Sequence, residues 1–415
     1  MKMFVQENIT MDIALLKESS RFYPKISIIT VCYNSAAHIE QTIKSVRVQN
    51  YPNIEYIIID GGSTDGTLDI IYNNKDCITK WISEPDRGIY DAMNKGIDLA
   101  TGDYIAFLNS DDWYVNGAIS YIANKIREER ASVFCFEANC VGENLNRPFR
   151  GRRDCDNIRF EMIHCHQAVF AERFLFRKYG KFNVSYKIAA DYEWLLRMYD
   201  QEVRIKYDDF IVVNFRTGGI SSIYRKESQK EAYIVATRAV DMLKIGKKIS
   251  EKDYIAWIRK INSVYQEKEW LRIFREAIRE KSLLENEDFL CELNKAFPEK
   301  SYSIFGCGFA GTECLMLLKK LKRNVICCWD NAKDRWGGYF EGYIVFSPDE
   351  IKKGGPQILI CTVRYHSEIK KQLEGKGLRE GEDFYDYHSI CLKIGKYLKE
   401  SVGVEILEKN KGEVI

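Results

Sequence analysis

Three short polar clusters in the N-terminal half each follow an apolar run that is typical of a buried β-strand. Tyr33 and Asn34 follow ISIITVC, Asp60 follows IEYIII, and the cluster NSDD at residues 109–112 follows YIAFL. Ligands of open α/β sheets bind beyond the carboxyl ends of the strands. We therefore expect the three clusters to face one rim, where carboxylate, amide and hydroxyl groups could hold a polar ligand.

The adjacent carboxylates Asp111 and Asp112 predict a cation site. Like charges a few ångströms apart repel each other, and a divalent cation is the natural compensation. Oxygen ligands without a dense set of Cys and His favour Mg²⁺ or Mn²⁺, which share their shell with water and substrate phosphates. The residues alone leave a second interpretation equally open, namely that the pair caps the following turn or helix.

A second candidate site lies in the C-terminal part of the chain. Gly306, Gly308 and Gly311 form G-x-G-x-x-G between a predicted strand and a predicted helix. Such glycines let a pyrophosphate approach the amides of a helix start, and Asp330, twenty-two residues beyond Gly308, could hold a ribose hydroxyl. An NAD-dependent oxidoreductase would use the same residues, but no convincing acid–base pair follows them. We therefore expect a binding or docking module, with or without a nucleotide.

The elements that must position these sites divide the chain into segments. Apolar β-branched runs that alternate with helical periodicity predict βαβ units and a mostly parallel sheet for the first domain. Helical spacing follows, and Ser250 with Asp253 fits a capping box. In chain order we expect an N-terminal extension (1–23), an α/β domain (24–224), a helical connector (225–298), a smaller α/β domain (299–395) and a polar tail (396–415).

The composition narrows the class of protein. With 415 residues, 46% apolar and 29% charged, the chain is globular, and its net charge of +2 gives no whole-chain attraction to nucleic acid. Thirteen cysteines, several inside apolar runs, predict free thiols in a reducing cytoplasm. The group of His164, Cys165 and His166 with Cys155 nearby matches no common zinc pattern.

The sequence also bears on membranes. No apolar run approaches the roughly 18 residues of a membrane span, and the N-terminus has no continuous apolar region of a signal peptide. We therefore expect a cytoplasmic protein that does not span the membrane. The basic helices of the connector leave two interpretations open, a solvated spacer or a surface for a membrane or partner.

The motifs of the first domain resemble those of family 2 glycosyltransferases over residues 24–224. The resemblance rests on ISIITVCYNS, IEYIIIDGGSTDGT, SEPDRGIYDAMNKGI and ATGDYIAFLNSDDW. It is strongest with bacterial enzymes that build capsular, exopolysaccharide or O-antigen repeat units. It implies a GT-A fold, a nucleotide-diphosphate-sugar donor, Mn²⁺ or Mg²⁺, and inversion at the anomeric carbon. Residues 299–390 resemble a Rossmann-like module attached to sugar-processing enzymes.

The resemblance implies roles for the polar clusters. Asp112 would hold the metal and Asp111 would lie against the donor. Asp60 would contact the nucleoside base, although this chain has Gly61 where many relatives carry a second aspartate.

It also implies contacts for other residues of the donor site. Val31 and Tyr33 would touch a uracil ring, while Asp86, Arg87 and Asn94 would line the diphosphate and sugar. For Arg87 the alternative is a surface ion pair with Asp86 or Glu84.

The remaining implied roles concern the acceptor and the metal. Asp191 would be the general base, although Ala190 replaces the usual glutamate, and it could also cap its helix. His166 would be a metal ligand or a phosphate donor, or else a hydrogen-bonded core histidine. Arg216 would sit in a loop that closes over the donor phosphates, with Gly218 and Gly219 as hinges, or in a plain surface loop.

Together these features predict a metal-dependent inverting glycosyltransferase. The expected donor is a UDP-hexose or UDP-N-acetylhexosamine, and the expected acceptor is a saccharide or lipid-linked saccharide at the inner membrane face, with possible peripheral membrane association. Two alternatives remain open at this point: a bifunctional protein with NAD-dependent or nucleotide-sugar chemistry in the C-terminal module, and a non-catalytic nucleotide-sugar-binding protein.

Overall fold

The fold comes from a computed structural model that describes residues 23–129, 131–142, 145–149, 155–219, 223–279, 287–362 and 365–402. Contacts between residues divide the chain into two compact units, residues 1–262 and 263–415. All but the last residue of the expected N-terminal extension lies outside the described residues, as does the expected tail from 403 onward.

The first unit contains a large mixed sheet with helices. In chain order its elements are β1 (Ile26–Cys32), α1 (Ile39–Arg47), β2 (Ile54–Asp60), α2 (Thr67–Asn73), β3 (Lys80–Ser83), α3 (Ile89–Leu99), β4 (Tyr104–Phe107), β5 (Trp113–Tyr114), α4 (Ala118–Glu129), β6 (Val133–Gly142), β7 (Leu145–Phe149), β8 (Val169–Glu172), α5 (Arg173–Lys178), α6 (Ala190–Asp200), β9 (Ile205–Arg216) and α7 (Arg225–Ile245). The strand order among described residues is β3-β2-β1-β4-β8-β6-β9-β5, with β7 paired to β6.

The strands that carry the polar clusters are parallel, as the apolar runs predicted. The register pairs Cys32 of β1 with Asp60 of β2, so these two strands end together. It also pairs Ile29 with Phe107 of β4, which brings residues 109–112 to the same edge. The prediction of a mostly parallel sheet is wrong, because the other half is mixed. There β6 and β9 are parallel, whereas β8 runs antiparallel to both β4 and β6, and β5 runs antiparallel to β9.

A buried carboxylate fastens the opposite edge of this sheet. The side chain of Glu55 on β2 is 2% exposed and accepts hydrogen bonds from Ser27 Oγ (2.6 Å) and from the amide and hydroxyl of Thr101 (both 2.7 Å). Lys25 and Lys80 approach it at 3.3 and 3.2 Å. Burial alone would raise the pKa of Glu55, but these partners outweigh burial and lower the pKa to about 2.

The boundary between the two units falls within the long helix α8 (Glu251–Arg279). This helix starts where the sequence predicted, because the Ser250 hydroxyl accepts the amide hydrogen of Asp253 at 3.1 Å. The expected helical connector is therefore divided, with α7 in the first unit and α9 (Glu287–Ala296) in the second. None of the described helices has the length and apolar content needed to cross a bilayer.

The second unit is a smaller α/β structure. Besides α9 it contains β10 (Ser301–Phe305), α10 (Phe309–Lys320), β11 (Asn324–Trp329), β12 (Tyr339–Phe340), β13 (Tyr343–Phe346), β14 (Gln357–Ile360), α11 (His366–Gly375), β15 (Phe384–Asp386) and α12 (Tyr387–Tyr397). Its strand order is β12-β13-β11-β10-β14-β15, and all pairs are parallel except β12 with β13. Cys327, Cys328 and Cys361 are buried, as their apolar runs predicted.

Candidate functional site

A cavity of about 1160 Å³ lies in the first unit, at the edge where β1, β2 and β4 end. Two of the three polar clusters contribute to it directly, Tyr33 with Asn34 and residues 109–111, while the segment after β2 contributes Gly61 rather than Asp60. The cavity wall includes Val31, Tyr33, Asn34, Gly61, Asp86, Tyr90, Asn109, Ser110, Asp111, His166, Asp191, Ser228 and Gly219.

Of the two adjacent aspartates, Asp111 lies in the cavity wall and Asp112 lies behind it. Asp112 is completely buried, and its Oδ1 accepts the amide hydrogen of Arg216 at 2.8 Å. The buried Oδ1 of Asn109 has no hydrogen-bond partner. Burial, and next the charge of Asp111, raises the pKa of Asp112 well above its usual range, although Gln167 and Arg216 act in the opposite direction, and burial also raises the pKa of Asp111. Two buried carboxyl groups whose charged forms are disfavoured fit a cation reached from the Asp111 side.

The structure does not place Asp60 in the cavity wall. Its side chain is completely buried and accepts the Ser63 amide and hydroxyl (2.9 and 2.5 Å) and the Ser83 hydroxyl (2.7 Å). Burial opposes ionisation, but these hydrogen bonds outweigh it and lower the pKa of Asp60. Asp60 thus shapes the loop after β2, and its contact with a nucleobase stays a prediction.

Asp86 occupies space that a side chain at position 61 would fill. A Cβ built on Gly61 would lie 3.1 Å from Asp86 Oδ2 and 3.4 Å from Tyr33 Cδ2. The other oxygen of Asp86 pairs with Lys95 Nζ at 2.5 Å. The chain therefore combines Gly61 with Asp86, which brings a carboxylate from a different segment beside the exposed ring of Tyr33.

Arg87 and Asn94, by contrast, do not reach the cavity wall. The side chain of Arg87 is 82% exposed and pairs with Asp91 at 3.1 Å, one turn along α3. Arg87 thus forms a surface ion pair, with Asp91 and not with Asp86 or Glu84. Asn94 exchanges two hydrogen bonds with the backbone of Phe182, at 2.9 and 3.0 Å, so it fastens α3 to that segment.

Asp191 lies in the first turn of α6 and faces the cavity. Its Oδ1 accepts the amide hydrogen of Tyr192 at 2.9 Å and lies 3.0 Å from the hydroxyl of Tyr90. Ahead of it, the carboxylate of Glu231 on α7 accepts the amide hydrogens of residues 187–189 at 2.8 to 3.1 Å. The start of α6 is therefore held from two other helices.

His166 lies beside Asp191 in the cavity wall. Its Nδ1 is 4.0 Å from Asp191 Oδ2, and its ring stacks on Phe107 with centroids 5.3 Å apart. Burial lowers the pKa of His166, and its buried Nε2 has no hydrogen-bond partner. Within the described parts of the chain, no three side chains of His, Cys, Asp or Glu converge as a metal site.

Arg216 braces the aspartate pair from the end of β9. Its Nε donates to the carbonyl of Asp111 at 3.2 Å, and its Nη2 donates to Gln41 at 2.8 Å. The next residues approach the cavity, since a Cβ built on Gly219 would lie 3.8 Å from Asp111 Oδ2. The predicted lid loop continues into residues 220–222, which lie outside the described residues.

Sequence reasoning missed two residues of this site. Tyr90 belongs to the GIYDAMN motif, so its place in a quoted motif was a usable signal. Glu231 lies in a helical segment without any motif, and only the fold brings it to the backbone ahead of Asp191.

In the second unit, the glycine turn follows β10 and precedes α10. Gly306 has φ of 108°, a Cβ on Gly311 would lie 2.4 Å from the Gly306 carbonyl oxygen, and a Cβ on Gly308 would meet no atom within 4 Å. Gly311 is therefore needed because α10 packs closely against the turn, whereas the space beside Gly308 is empty. Asp330 is already engaged, because its Oδ2 accepts the Cys307 amide hydrogen at 2.9 Å and pairs with Arg335 at 3.2 Å.

Comparison with known proteins identifies similar sequences for both units. The family model Glycosyl transferase family 2 matches residues 27–226, and the model C2185-like, N-terminal, matches residues 300–382. A PGL/p-HBAD biosynthesis glycosyltransferase of Mycobacterium tuberculosis is 32% identical over 205 residues, 48% of this chain and 80% of that protein. A GalNAc(5)-diNAcBac-PP-undecaprenol beta-1,3-glucosyltransferase of Campylobacter jejuni is 32% identical over 136 residues, 31% of this chain and 43% of that protein.

Residues 1–349 of S. aureus TarS in complex with UDP-GlcNAc give a TM-score of 0.48 at 18% identity, over 57% of this chain and 71% of that one.

Proposed function

Because the chain belongs to glycosyl transferase family 2 and is therefore a glycosyltransferase, we propose that it transfers a sugar from a UDP-sugar donor with inversion at the anomeric carbon. The proposed acceptor is a saccharide or lipid-linked saccharide of a bacterial surface polysaccharide, used by a cytoplasmic enzyme at the inner membrane face. The named relatives support this class of acceptor, since one acts on an undecaprenol-linked saccharide by its name. The observation that carries the proposal is that Asp111 and Asp191 line the same cavity.

The donor half of the proposed site lies at the ends of β1 and β2. The nucleobase would stack against Tyr33, whose ring is 66% exposed, with Val31 beneath it. Asp86, rather than Asp60, is the carboxylate that lines the cavity beside Tyr33. A carboxylate there suits a base with an N–H donor, such as uracil. A GT-A fold is the corresponding assignment for the first unit, supported by the family match and the mixed sheet.

A divalent cation, Mn²⁺ or Mg²⁺, fits the residues present. Asp111 would hold it from the cavity wall, which also contains Asn109, whose buried Oδ1 has no hydrogen-bond partner. When bound, such an ion neutralises charge that develops on the departing diphosphate. Only one or two protein carboxylates are needed, because Mg²⁺ and Mn²⁺ complete their shell with water and substrate phosphates.

Asp191 is the proposed general base. Its carboxylate would accept the proton of the acceptor hydroxyl while that oxygen attacks the anomeric carbon from the face opposite the diphosphate. The first turn of α6 also suits a negative charge at this position, because the helix dipole is positive there.

Nucleotide release tests the proposal. We expect UDP release from a UDP-hexose or UDP-N-acetylhexosamine in the presence of Mn²⁺ or Mg²⁺, measured over a panel of donors. Asp191→Asn should keep its affinity for UDP but lose about two to four orders of magnitude in transfer, the usual contribution of a positioned base. Transfer near the wild-type rate in that variant would mean that another group is the base.

The second unit carries a separate proposal, that of a Rossmann-like nucleotide-binding module. Its parallel strands lie in the order β13-β11-β10-β14-β15. Numbered along the chain from β10, this is the order 3-2-1-4-5 of doubly wound nucleotide-binding folds. The turn at Gly308 has room for a ligand, since a Cβ there would meet no atom within 4 Å. A phosphate at the α10 amides is the proposed contact. To bind a ribose hydroxyl, Asp330 would have to give up its hydrogen bond with the Cys307 amide and its ion pair with Arg335.

A further inference from the structure

Tyr90 has a hydroxyl with two competing acceptors at the candidate base. It lies at the start of α3, is 6% exposed, and lines the cavity. Its oxygen is 2.6 Å from the carbonyl oxygen of Ile188 and 3.0 Å from Asp191 Oδ1. Its ring packs against Phe182 with centroids 5.5 Å apart, so the hydroxyl is held at this point by the rest of the side chain.

A tyrosine hydroxyl carries a single hydrogen and can donate it to only one of these oxygens at a time. Burial, and next the charge of Asp191, raises the pKa of Tyr90 well above its usual range, so the hydroxyl keeps its proton. When Asp191 is ionised, donation to its carboxylate is the stronger interaction, because the acceptor is charged. When Asp191 is protonated, Ile188 offers a neutral acceptor, and the buried hydroxyl is not left unpaired.

The two oxygens of Asp191 have different surroundings. Oδ1 is fixed by the amide of Tyr192 and by Tyr90. Oδ2 has His166 Nδ1 at 4.0 Å, beyond hydrogen-bond distance. Oδ2 is therefore the oxygen available to an acceptor hydroxyl. The hydrogen bonds to Oδ1 fix the orientation of the carboxylate and hence the direction of Oδ2.

We propose that Tyr90 is a positioning residue for Asp191, whose hydroxyl donates to the ionised carboxylate before the reaction and turns to the Ile188 carbonyl once Asp191 has taken the acceptor proton. No bond of Tyr90 is broken, since only its O–H bond rotates. The inference rests on the proposed role of Asp191 and deepens it.

Cys165, Tyr90 and His166 are titratable groups on which the charge of Asp191 acts, and they differ in what they can contribute to a pH profile. Burial raises the pKa of the Cys165 thiol, and the pKa of Tyr90 is also raised, so both stay protonated near neutral pH. Burial lowers the pKa of His166, which brings its titration toward the acidic side. A His166→Gln variant is therefore needed to assign an acidic limb.

The test compares Tyr90→Phe with Tyr104→Phe. Phenylalanine retains the packing of the ring and removes only the hydroxyl. Tyr104 is a matched control, because it is 5% exposed and its hydroxyl also lies between a backbone carbonyl, that of Ala131 at 2.7 Å, and a carboxylate, that of Glu172 at 3.4 Å. Tyr104 is not part of the cavity wall.

The readouts are UDP release from UDP-glucose or UDP-GlcNAc, whichever the wild type hydrolyses faster, as a function of pH, and calorimetric affinity for UDP with Mn²⁺. In Tyr90→Phe we expect unchanged UDP affinity, a plateau kcat lower by about tenfold, and an acidic limb moved up by about one pH unit. Tyr104→Phe and the wild type should share one profile.

Each contrary outcome has one meaning. A Tyr90→Phe profile that coincides with the wild type overturns the inference while the base role of Asp191 stands, provided that Asp191→Asn is inactive. An acidic limb that disappears in His166→Gln, and that Tyr90→Phe does not move, also overturns it. If the wild type releases no UDP, or Asp191→Asn is fully active, the proposed function fails first and the inference with it.

Discussion

At the scale of single residues, the candidate site combines side chains that face the cavity, such as Asp111 and Asp191, with side chains that hold the surrounding backbone, such as Asp60 and Asn94. The apolar pattern predicted that Tyr33 and Asp111 would share the edge where their strands end, and the family resemblance implied that Asp191 belongs to the same site; all three line one cavity. The sequence does not show that Asp60 and Asn94 form hydrogen bonds with neighbouring backbone and hydroxyl groups. Such internal bonds depend on distances that only the folded chain fixes.

The aspartate pair yields a prediction that separates the two side chains. We expect Asp111→Asn to weaken metal-dependent UDP binding by at least about tenfold, since it removes the cavity-facing carboxylate of a site that uses few protein ligands. Asp112→Asn should weaken it less, because Asp112 is completely buried and outside the cavity wall. Calorimetry with UDP, with and without Mn²⁺, measures both effects.

Thermal unfolding supplies the control for this pair. In Asp112→Asn, the amide oxygen can still accept the Arg216 amide hydrogen, and the charge that repels Asp111 is gone. Without metal, this variant should therefore melt at a higher temperature than the wild type, by about 2–4 °C for each kcal/mol of repulsion that is removed. If Asp112→Asn loses more metal-dependent affinity than Asp111→Asn, the metal ligand is Asp112, as the family resemblance first implied.

At the scale of elements, the apolar strands were predictable and their partners in half of the sheet were not. β1 and β2 are buried along nearly their whole length, so their continuous apolar runs identified parallel central strands. The antiparallel placement of β8 between β4 and β6 depends on pairing between distant segments, for which no local pattern exists.

The buried carboxylate on β2 makes the first unit sensitive to acid. The pKa of Glu55 is about 2 when folded, below its ordinary value of 4.5, so its stabilisation is present above pH 4.5 and is lost as the pH falls toward 2. Glu55→Gln should therefore be destabilised at pH 7, and its difference from the wild type should shrink by about 1.4 kcal/mol on going to pH 3.5.

Urea unfolding at several pH values measures this difference. Glu40→Gln is the matched control, since Glu40 makes only an exposed ion pair with Lys44 at 2.8 Å. A Glu55→Gln difference that stays constant between pH 7 and pH 3.5 would mean that the buried carboxylate is not linked to folding through its proton.

At the scale of the whole molecule, the chain joins two α/β units, each with its own core. The sequence predicted an α/β structure towards each end of the chain and helices in its middle part, because helical periodicity and the capping residue Ser250 are local signals. The sequence did not predict that α7 belongs to the first unit and α9 to the second, because this depends on the core against which each helix packs.

Two units with separate candidate sites predict a binding stoichiometry. If the open turn at Gly308 receives a phosphate, the full chain should bind two UDP-sugars in calorimetry, one that requires Mn²⁺ and one that does not. Asp111→Asn should leave the metal-independent binding event, and Gly308→Val should leave the metal-dependent one, because a side chain at 308 would fill the space before the α10 amides.

Gly375→Val, at an equally open glycine in the last turn of α11, is the control for the introduction of a valine and should leave both binding events. A single, metal-dependent event in the wild type would contradict the nucleotide-binding proposal. The glycines would then serve the close packing of α10 on β10, which the 2.4 Å approach of a Gly311 Cβ to the Gly306 carbonyl already requires.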